Sequence, residues 1–260
     1  MCIRDRYLVY QKNKALIGTL RMSMERTVIV VRTTPPGDDE NEWNYWYENT
    51  HIAARLEIPG FLLIRRFQLS SGLPDTFSLD GPRYLAVYEV ENPSVLTSDP
   101  YLKLTKSEAE RPEDSFEART RSHPDNSRGI FRQIFPEENY SRPNNADYLL
   151  AVGHVDLPQD VLDEYHAWYN TEHIPSYLQI PGVLNARRFA ISSLPSGATS
   201  RSGPHGSDYI ALYDLENDDV FQSDAFIERS TTPWSARIRG WTWERRRMNN
   251  SYKCIYSSDS

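Results

Sequence analysis

The stretch WYENTHIAARLEIPGFLLIRRF at residues 46–67 returns later in the chain as WYNTEHIPSYLQIPGVLNARRF at residues 168–189. The two stretches align without a gap at a constant offset of 122, and 12 of their 22 positions are identical. Chance would leave about one or two identities in such a window. The chain therefore carries an internal repeat, which predicts two consecutive structural units of the same kind.

A second pair of matching segments extends the repeat. YLAVYEVEN at residues 84–92 matches YIALYDLEN at residues 209–217, now at an offset of 125. The change of three residues places an insertion in residues 192–207, a run rich in Gly, Ser and Pro that is typical of a surface loop. Each unit then spans about a hundred residues, the size of one small domain.

The repeat also predicts the domain boundaries. We expect the first unit at residues 26–140, the second at residues 146–247, and a polar C-terminal tail at residues 248–260. The opening Met-Cys-Ile-Arg-Asp-Arg is similar to a translated adaptor fragment, and Met22 or Met24 offers a natural start. Residues 1–25 are therefore interpreted, as a hypothesis, as an extension outside the fold and artefactual in origin.

Within a unit, the residue pattern predicts the order β-α-β-β-α-β. In the second unit Leu162, Tyr169 and His173 lie at helical spacings, and Pro175 disfavours helical geometry at Ile174. The segments expected as strands are residues 27–33, 148–155, 187–192, 208–215 and 240–245, with a short second helix at 223–228. This order predicts a ferredoxin-like α+β unit, an antiparallel sheet with helices on one face.

The other face of such a sheet is left uncovered, so it needs a second apolar surface. The tandem duplication supplies one within the same chain. We therefore expect the two antiparallel sheets to pack into an intramolecular α/β barrel that encloses a cavity. The protein should be a monomer with an internal pseudo-dimer.

Composition excludes several classes of protein. The 260 residues carry 36 acidic and 29 basic side chains, a net charge of −7, which disfavours nucleic acid as a partner. No apolar run approaches the ~18 residues that a membrane span requires. Cys2 and Cys254 are too few for a disulfide framework, so a reducing, cytoplasmic location is expected.

The repeated segments resemble the EthD-like branch of the dimeric α/β-barrel superfamily. The resemblance rests on an aromatic pair, a His-Ile-Pro element, a Pro-Gly and a basic strand, and it covers about residues 27–245. In the second unit these are Trp168-Tyr169, Glu172-His173-Ile174-Pro175, Pro181-Gly182 and Arg187-Arg188-Phe189. The first unit departs from the pattern, with Thr50 and Ala53 where Glu172 and Pro175 stand.

The resemblance implies a pocket for a small, often aromatic molecule. The superfamily includes cofactor-free monooxygenases, polyketide cyclases, lactone isomerases, haem-dependent chlorite dismutases and peroxidases, and stress proteins of unknown activity. The fold therefore does not decide the reaction.

The candidate catalytic residues are His173, His154 and Tyr169. Imidazole, with an ordinary pKa of ~6.5, is suited to proton transfer near neutral pH. His154 has the same strand parity as Leu150 and Val152, so the three should share one sheet face. The alternatives are a helix-end His held by the last carbonyls and a His at the end of a surface strand.

The candidate substrate-binding residues are aromatic rings and arginines at equivalent places in the two units. Each Arg-Arg pair must send one guanidinium to each face of its strand, where one of the two could clamp an anionic ligand group. The candidates are His51, Tyr47, Trp168, Trp46, Tyr88, Tyr213, Arg65 and Arg187.

Neither metal nor nucleotide cofactor has a signature in the sequence. The six His and two Cys show no zinc-ligand spacing, and no Gly-x-Gly-x-x-Gly or phosphate-binding loop is present. The primary hypothesis is a cofactor-independent enzyme that moves protons on a small hydrophobic or aromatic compound, phenolic or polyketide-like, in the barrel. Its type would be cyclase, dehydratase, isomerase or monooxygenase.

Two alternatives stay open. One is a non-catalytic binding or stress-related barrel, and the other is a haem-binding barrel, because haem needs only one axial His. If the chain is an enzyme, we expect the second unit, with His173 and His154, to hold the active site. The first unit, with Arg32 in place of His154, should have drifted toward scaffolding.

Overall fold

A computed structural model describes residues 26–37, 39–138, 140–192 and 200–259 of the chain. The predicted extension at residues 1–25 lies outside these ranges. The described strands are β1 (Thr27–Thr33), β2 (Phe61–Leu69), β3 (Tyr84–Val90), β4 (Ser127–Phe135), β5 (Tyr148–His154), β6 (Val183–Ile191), β7 (Arg201–Ser202), β8 (Tyr209–Leu215) and β9 (Arg246–Ser257).

Short helices connect these strands. They are α1 (Glu40–Trp46), α2 (Ala53–Leu56), α3 (Asp99–Ala109), α4 (Phe116–Ser122), α5 (Leu162–Trp168), α6 (Ile174–Tyr177), α7 (Asp224–Ser230) and α8 (Pro233–Thr242). Turns of 3₁₀ helix occupy Pro93–Thr97, Gln159–Val161, Asp219–Gln222 and Trp243–Arg245. None of the helices in the described ranges is long and apolar enough to cross a membrane.

Eight of the strands form a closed antiparallel barrel. Their order is β1-β3-β2-β9-β5-β8-β6-β4, and β4 pairs in turn with β1. The first four strands of the chain follow the order β4-β1-β3-β2, and the strands of the second half follow the corresponding order β9-β5-β8-β6. The halves join where β2 pairs with β9 and β4 with β6. The fold is thus α+β, with an eight-stranded barrel closed within one chain.

Three apolar clusters show where the cores lie. One takes side chains from all eight barrel strands, among them Val28, Phe67, Phe189 and Tyr252, and only the barrel interior brings these together. The other two combine alternate strand residues of one half with the helices beside it. The barrel is therefore filled by side chains, and helices cover its outer face.

This packing corrects the expectation of a ligand cavity inside the barrel. Both larger cavities lie outside the barrel wall, between the strands and the helices of each half. The physical reason is the alternation of strand side chains: Val28 and Val30 enter the barrel core, whereas Ile29 faces the helix-covered core.

The C-terminal end of the chain also differs from the sequence-based expectation. Residues 240–245, predicted as a strand, complete α8 and a 3₁₀ turn, because Thr232 caps a helix that begins with Pro233. The last strand is β9, so most of residues 248–260 is strand rather than tail. Two of its polar residues are buried and paired: Asn249 donates to the Phe77 carbonyl at 2.7 Å, and Asn250 donates to the Leu79 carbonyl.

Candidate functional site

Two π-helical segments lie at equivalent places in the repeat. Tyr47–Ile52 joins α1 to α2, and Tyr169–His173 joins α5 to α6. Single π turns inside helices frequently mark functional sites. Ile174 keeps helical dihedrals of −63° and −49°, so the expectation that Pro175 disfavours helical geometry at Ile174 is wrong. Pro175 lies in the first turn of α6, where a missing N–H matters least.

A buried arginine on the strand below holds each π-helical segment in place. The Arg66 guanidinium donates to Glu48 and to Asn44, both at 2.7 Å, and lies 4.3 Å from the Tyr47 ring centre. The Tyr47 ring thereby gains a fixed position against the sheet.

The second half repeats this arrangement. The Arg188 guanidinium donates to Asn170 at 2.6 Å and lies 2.8 Å from His166 Nδ1, with the Tyr169 ring centre also at 4.3 Å. The second arginine of each Arg-Arg pair therefore positions the aromatic rings, and both are about 1% exposed.

The first-half cavity lies between the outer face of β1, β3 and β4 and the helices α2, α3 and α4, and its volume is about 660 Å³. A cavity of this size is in the range that holds a drug-sized molecule. Most of its wall is apolar or aromatic. That part of the wall includes Ile29, Val31, Trp46, Leu96, Tyr101 and Leu102.

Two charged groups of the first-half cavity lie beside His51. The Arg55 guanidinium forms a two-point ion pair with the Glu108 carboxylate, at 2.8 and 2.9 Å, and also donates to the His51 carbonyl at 2.8 Å. The nearer Glu108 oxygen lies 3.7 Å from His51 Nδ1. That nitrogen is buried and has no hydrogen-bond partner within the described ranges.

Burial is the main cause of the altered acidity of His51. It lowers the pKa of the imidazole well below its ordinary value, and the positive charges of Arg55 and Arg66 lower it further. At neutral pH the ring is therefore uncharged and can accept a proton.

A pair of phenols lies beside the imidazole. The Tyr47 and Tyr88 hydroxyls are 2.8 Å apart, and the Tyr47 ring centre lies 4.7 Å from that of His51. Burial raises the pKa of both tyrosines above the ordinary value, so both stay protonated. One hydroxyl donates to the other, which leaves one hydroxyl hydrogen for a ligand oxygen.

The second-half cavity is much smaller, about 90 Å³. The His173 ring there is enclosed by the rings of Trp168 and Tyr177, at centre distances of 4.2 and 4.1 Å. Leu73 and Phe77, from the loop after β2, reach over from the first half and line it as well. Residues that differ between the halves therefore fill the space that the first half leaves open.

His154 lies in the wall of the second-half cavity with Leu150 and Val152, so these three do share a face. Its Nδ1 is 3.1 Å from the Tyr165 hydroxyl. Burial lowers the pKa of His154 and of His173 to about 3, and nearby arginine charges add to the effect in both. Both imidazoles are thus uncharged at neutral pH.

The structure divides the predicted site residues into three groups. Trp46, Tyr47, His51 and Tyr88 line the first-half cavity, whereas His154, Trp168, Tyr169, His173 and Tyr213 line the second-half cavity. Arg65 and Arg187 line neither. Each points into the barrel, where Arg65 pairs with Asp214 at 2.8 Å and Arg187 with Glu89 at 2.6 Å.

This position corrects the proposed ligand contact of Arg65 and Arg187. Strand alternation sends them to the barrel side and sends Arg66 and Arg188 to the helix side. Each pairs there with a carboxylate from the opposite half, and neither lines one of the two cavities.

Sequence reasoning missed Arg55 and Glu108. Arg55 lies inside the repeated segment, where it aligns with Tyr177. This difference between the repeats was the sequence signal that could have identified Arg55. Glu108 lies on α3, and nothing in the sequence indicates that α3 packs beside His51. Among the described residues, no group of three or more His, Cys, Asp or Glu side chains could hold a metal ion.

Comparison with known proteins identifies the fold. No family model and no curated protein matches the sequence. An anthrone oxidase-like protein superposes with a TM-score of 0.55 at 13% identity, over 89% of this chain and 92% of its own. A monooxygenase-like protein from Fusobacterium nucleatum subsp. nucleatum gives 0.52 at 7% identity, over 91% and 95%.

A chlorite dismutase-like protein also superposes, with a TM-score of 0.52 at 13% identity, over 90% of this chain and 96% of its own. All three have dimeric α/β-barrel folds, and this chain shares that fold. Identities this low establish the architecture alone.

Proposed function

We propose that this protein is a cofactor-independent enzyme that binds a small hydrophobic or aromatic compound in the first-half cavity and moves a proton with His51. The observation that carries the proposal is the convergence of one unpaired, buried imidazole nitrogen with two phenols in an otherwise largely apolar space of about 660 Å³. Buried titratable groups in a large pocket are the usual mark of an active site. The proposed base is thus His51 and not its counterpart His173, which the sequence favoured.

The proposed chemistry is abstraction of an acidic proton next to a carbonyl or phenol. The proton passes from the ligand to the uncharged His51 ring, and the electron pair of the broken C–H or O–H bond moves onto the ligand oxygen. The free hydroxyl hydrogen of the Tyr47–Tyr88 pair stabilises that oxygen. The Glu108 carboxylate, 3.7 Å from Nδ1, stabilises the imidazolium that forms.

Such a step begins an isomerisation, a cyclisation, a dehydration or an oxygenation of a phenolic or polyketide-like compound. Two of the structural neighbours have oxidase-like and monooxygenase-like names, which agrees with chemistry on a small molecule. Within this proposal, the chain is a monomer of the EthD-like type with two ferredoxin-like units, the second extended to include β9. A cytoplasmic location also belongs to the proposal.

Deuterium exchange into anthrone tests the proton transfer. Anthrone is a three-ring ketone with an acidic methylene, and NMR in D₂O follows the loss of its methylene protons directly. His51→Gln should slow the enzyme-catalysed exchange by about a hundredfold, the usual scale for loss of a general base. His173→Gln, at the equivalent position, is the matched control and should change the rate little. Equal losses in both variants would contradict a single site at His51.

Binding is tested separately by filling the cavity. Thr105 lines the first-half cavity from α3 and is partly exposed, so Thr105→Trp should block anthrone without disturbing the core. Unchanged anthrone affinity in this variant would place the ligand elsewhere.

A haem-binding barrel is the second candidate, and one observation favours it. Haem-ligating imidazoles usually have a carboxylate near the other ring nitrogen, and Glu108 stands in that relation to His51. His51 would hold the haem iron and the apolar wall would surround the ring, and bound haem would supply redox chemistry. Titration with haem decides the question, because a shifted absorption band that His51→Gln abolishes would replace the cofactor-free proposal.

A non-catalytic binding protein is the third candidate. The strongly lowered pKa of His51 supports it, since such an imidazole is a weak base. Anthrone that binds without any exchange above the solvent rate would favour this candidate.

A further inference from the structure

The second-half cavity has an unusual set of polar groups. Two arginines line it, Arg239 from α8 and Arg246 from the start of β9, and none of its described lining residues is acidic. The Tyr213 hydroxyl and His173 Nδ1 are buried there without a hydrogen-bond partner in the described ranges. Tyr213 is about 1% exposed.

The two guanidinium groups carry uncompensated positive charge. Arg239 donates to the Ser230 carbonyl, and Arg246 lies 3.9 Å from the Trp243 ring centre. Neither forms an ion pair with a described carboxylate. Burial lowers the pKa of Arg246, and the charge of Arg239 also lowers it. The two cations therefore repel one another in a partly dehydrated space.

The size of the cavity limits what could relieve this repulsion. At about 90 Å³ it is far smaller than the first-half cavity of about 660 Å³, so it suits a small ion such as formate, acetate or nitrate better than a phenolic ring. The first-half cavity, by contrast, has two carboxylates in its wall, Glu108 and Glu117, beside its arginines Arg55, Arg121 and Arg128.

We propose that the second-half cavity is a binding site for a small planar oxyanion, of which a short monocarboxylate such as acetate is the type. The arginines neutralise its charge, and the Tyr213 hydroxyl donates to one of its oxygens. Leu73 and Phe77 shield it from water, so the charge-assisted hydrogen bonds form in a low-dielectric space. This site is independent of the reaction proposed for the first half.

Calorimetric titration with sodium acetate at constant ionic strength tests the proposal. Binding should saturate between about 0.1 and 10 mM, as expected for a ligand of four non-hydrogen atoms. Formate and nitrate should bind similarly, whereas neutral acetamide, which has almost the same shape, should not. Equal binding of acetamide, binding of chloride alone, or no acetate binding up to 100-fold above this range would each overturn the proposal.

Variants locate the bound anion. Arg246→Gln and Arg239→Gln should each weaken acetate by at least about tenfold, since each removes one charged donor. Arg237→Gln is the matched control. Arg237 lies on α8, as Arg239 does, but its side chain is 60% exposed and does not line the cavity. An affinity that Arg246→Gln leaves unchanged would overturn the assignment.

Tyr213→Phe separates binding from stability. Removal of a buried, unpaired hydroxyl should not lower the free energy of unfolding, yet it should weaken acetate severalfold if that hydroxyl donates to the anion. His51→Gln should leave acetate binding unchanged, so failure of the reaction proposed for the first half is distinguishable from failure of this site. Full acetate affinity in folded Tyr213→Phe would remove the hydroxyl from the site.

Discussion

Arg55 and Tyr177 occupy the same place in the repeated segment, yet they have opposite effects on the cavity beside them. Arg55 turns toward α3 and pairs with Glu108, whereas the Tyr177 ring lies 4.1 Å from the His173 ring centre and fills the space. Both residues follow a conserved element of the repeat, the π-helical segment with its Tyr and His. This position is therefore one cause of the difference between the open and the filled cavity, beside the contribution of Leu73 and Phe77.

The pH dependence of the exchange reaction reports on His51. The rate depends on the uncharged imidazole, and burial keeps the pKa of that ring well below its ordinary value. We therefore expect the rate to stay constant as the pH falls through 6.5 and to decline only at a distinctly lower pH. Exchange rates measured from pH 8 to pH 4 check this, with free imidazole as the reference base. A midpoint near ~6.5 would show that His51 is solvated, contrary to its position.

The sequence could predict an α+β barrel because the repeat provides the same pattern twice. The pattern in residues 46–67 recurs in residues 168–189. The helix and the strand of this segment are therefore each predicted twice. The last strand was missed because Asn249 and Asn250 are polar. Their side chains are buried against carbonyls of the loop at residues 70–83, a contact that no local pattern reveals.

The candidate site was only half predictable. The His and Tyr of each π-helical segment are repeated and therefore visible, but the volume beside them depends on parts that are not repeated. Leu73 reaches the second-half cavity from the first half, and Glu108 comes from a helix outside the aligned segments. The sequence-based prediction therefore ranked His173 above His51 because its motif matches the family better. The sequence contains no information on the cavity volume beside either histidine.

The free energy of unfolding should decrease as the pH falls, in part because of His154 and His173. Their pKa values in the folded chain are about 3, whereas an unfolded chain has His near ~6.5. As the pH falls below 6.5 the unfolded chain takes up protons first, so the stabilisation present above 6.5 is lost toward pH 3. Each group contributes a slope of about 1.4 kcal/mol per pH unit.

Urea unfolding at pH 7.0, 6.0 and 5.0 measures this slope. His154→Gln should lower this slope by about 1.4 kcal/mol per pH unit. The remaining slope comes from His173 and from the other imidazoles with a lowered pKa, among them His51 and His166. Equal free energies of unfolding at pH 7.0 and 5.0 would show that neither ring is as buried as described.

The buried ion pair between Arg187 and Glu89 predicts strong non-additivity. It joins β6 to β3 inside the barrel, and the Arg187 side chain is about 1% exposed. Arg187→Met leaves an uncompensated carboxylate in the core and should lower the free energy of unfolding by about 3 to 5 kcal/mol.

The double variant Arg187→Met with Glu89→Leu should recover most of that loss, because no unpaired charge stays buried. Urea unfolding of the wild type, both single variants and the double variant completes the cycle. Additive losses would mean that the two side chains do not interact.

Replacement of Tyr177 by Ala should convert the second half into a binding site like the first. Loss of the ring opens space beside His173. The equivalent space beside His51 is already open, because Arg55 turns toward α3 instead. The variant should bind anthrone at two sites per chain instead of one, as counted by calorimetric titration. It should also lose about 3 to 5 kcal/mol of stability, because a buried aromatic ring is removed. Tyr177→Phe keeps the ring and serves as the control, with one site and a small change in stability. A single binding site in folded Tyr177→Ala would contradict this prediction. It would show that the loop after β2, with Leu73 and Phe77, and not Tyr177, restricts the second-half cavity.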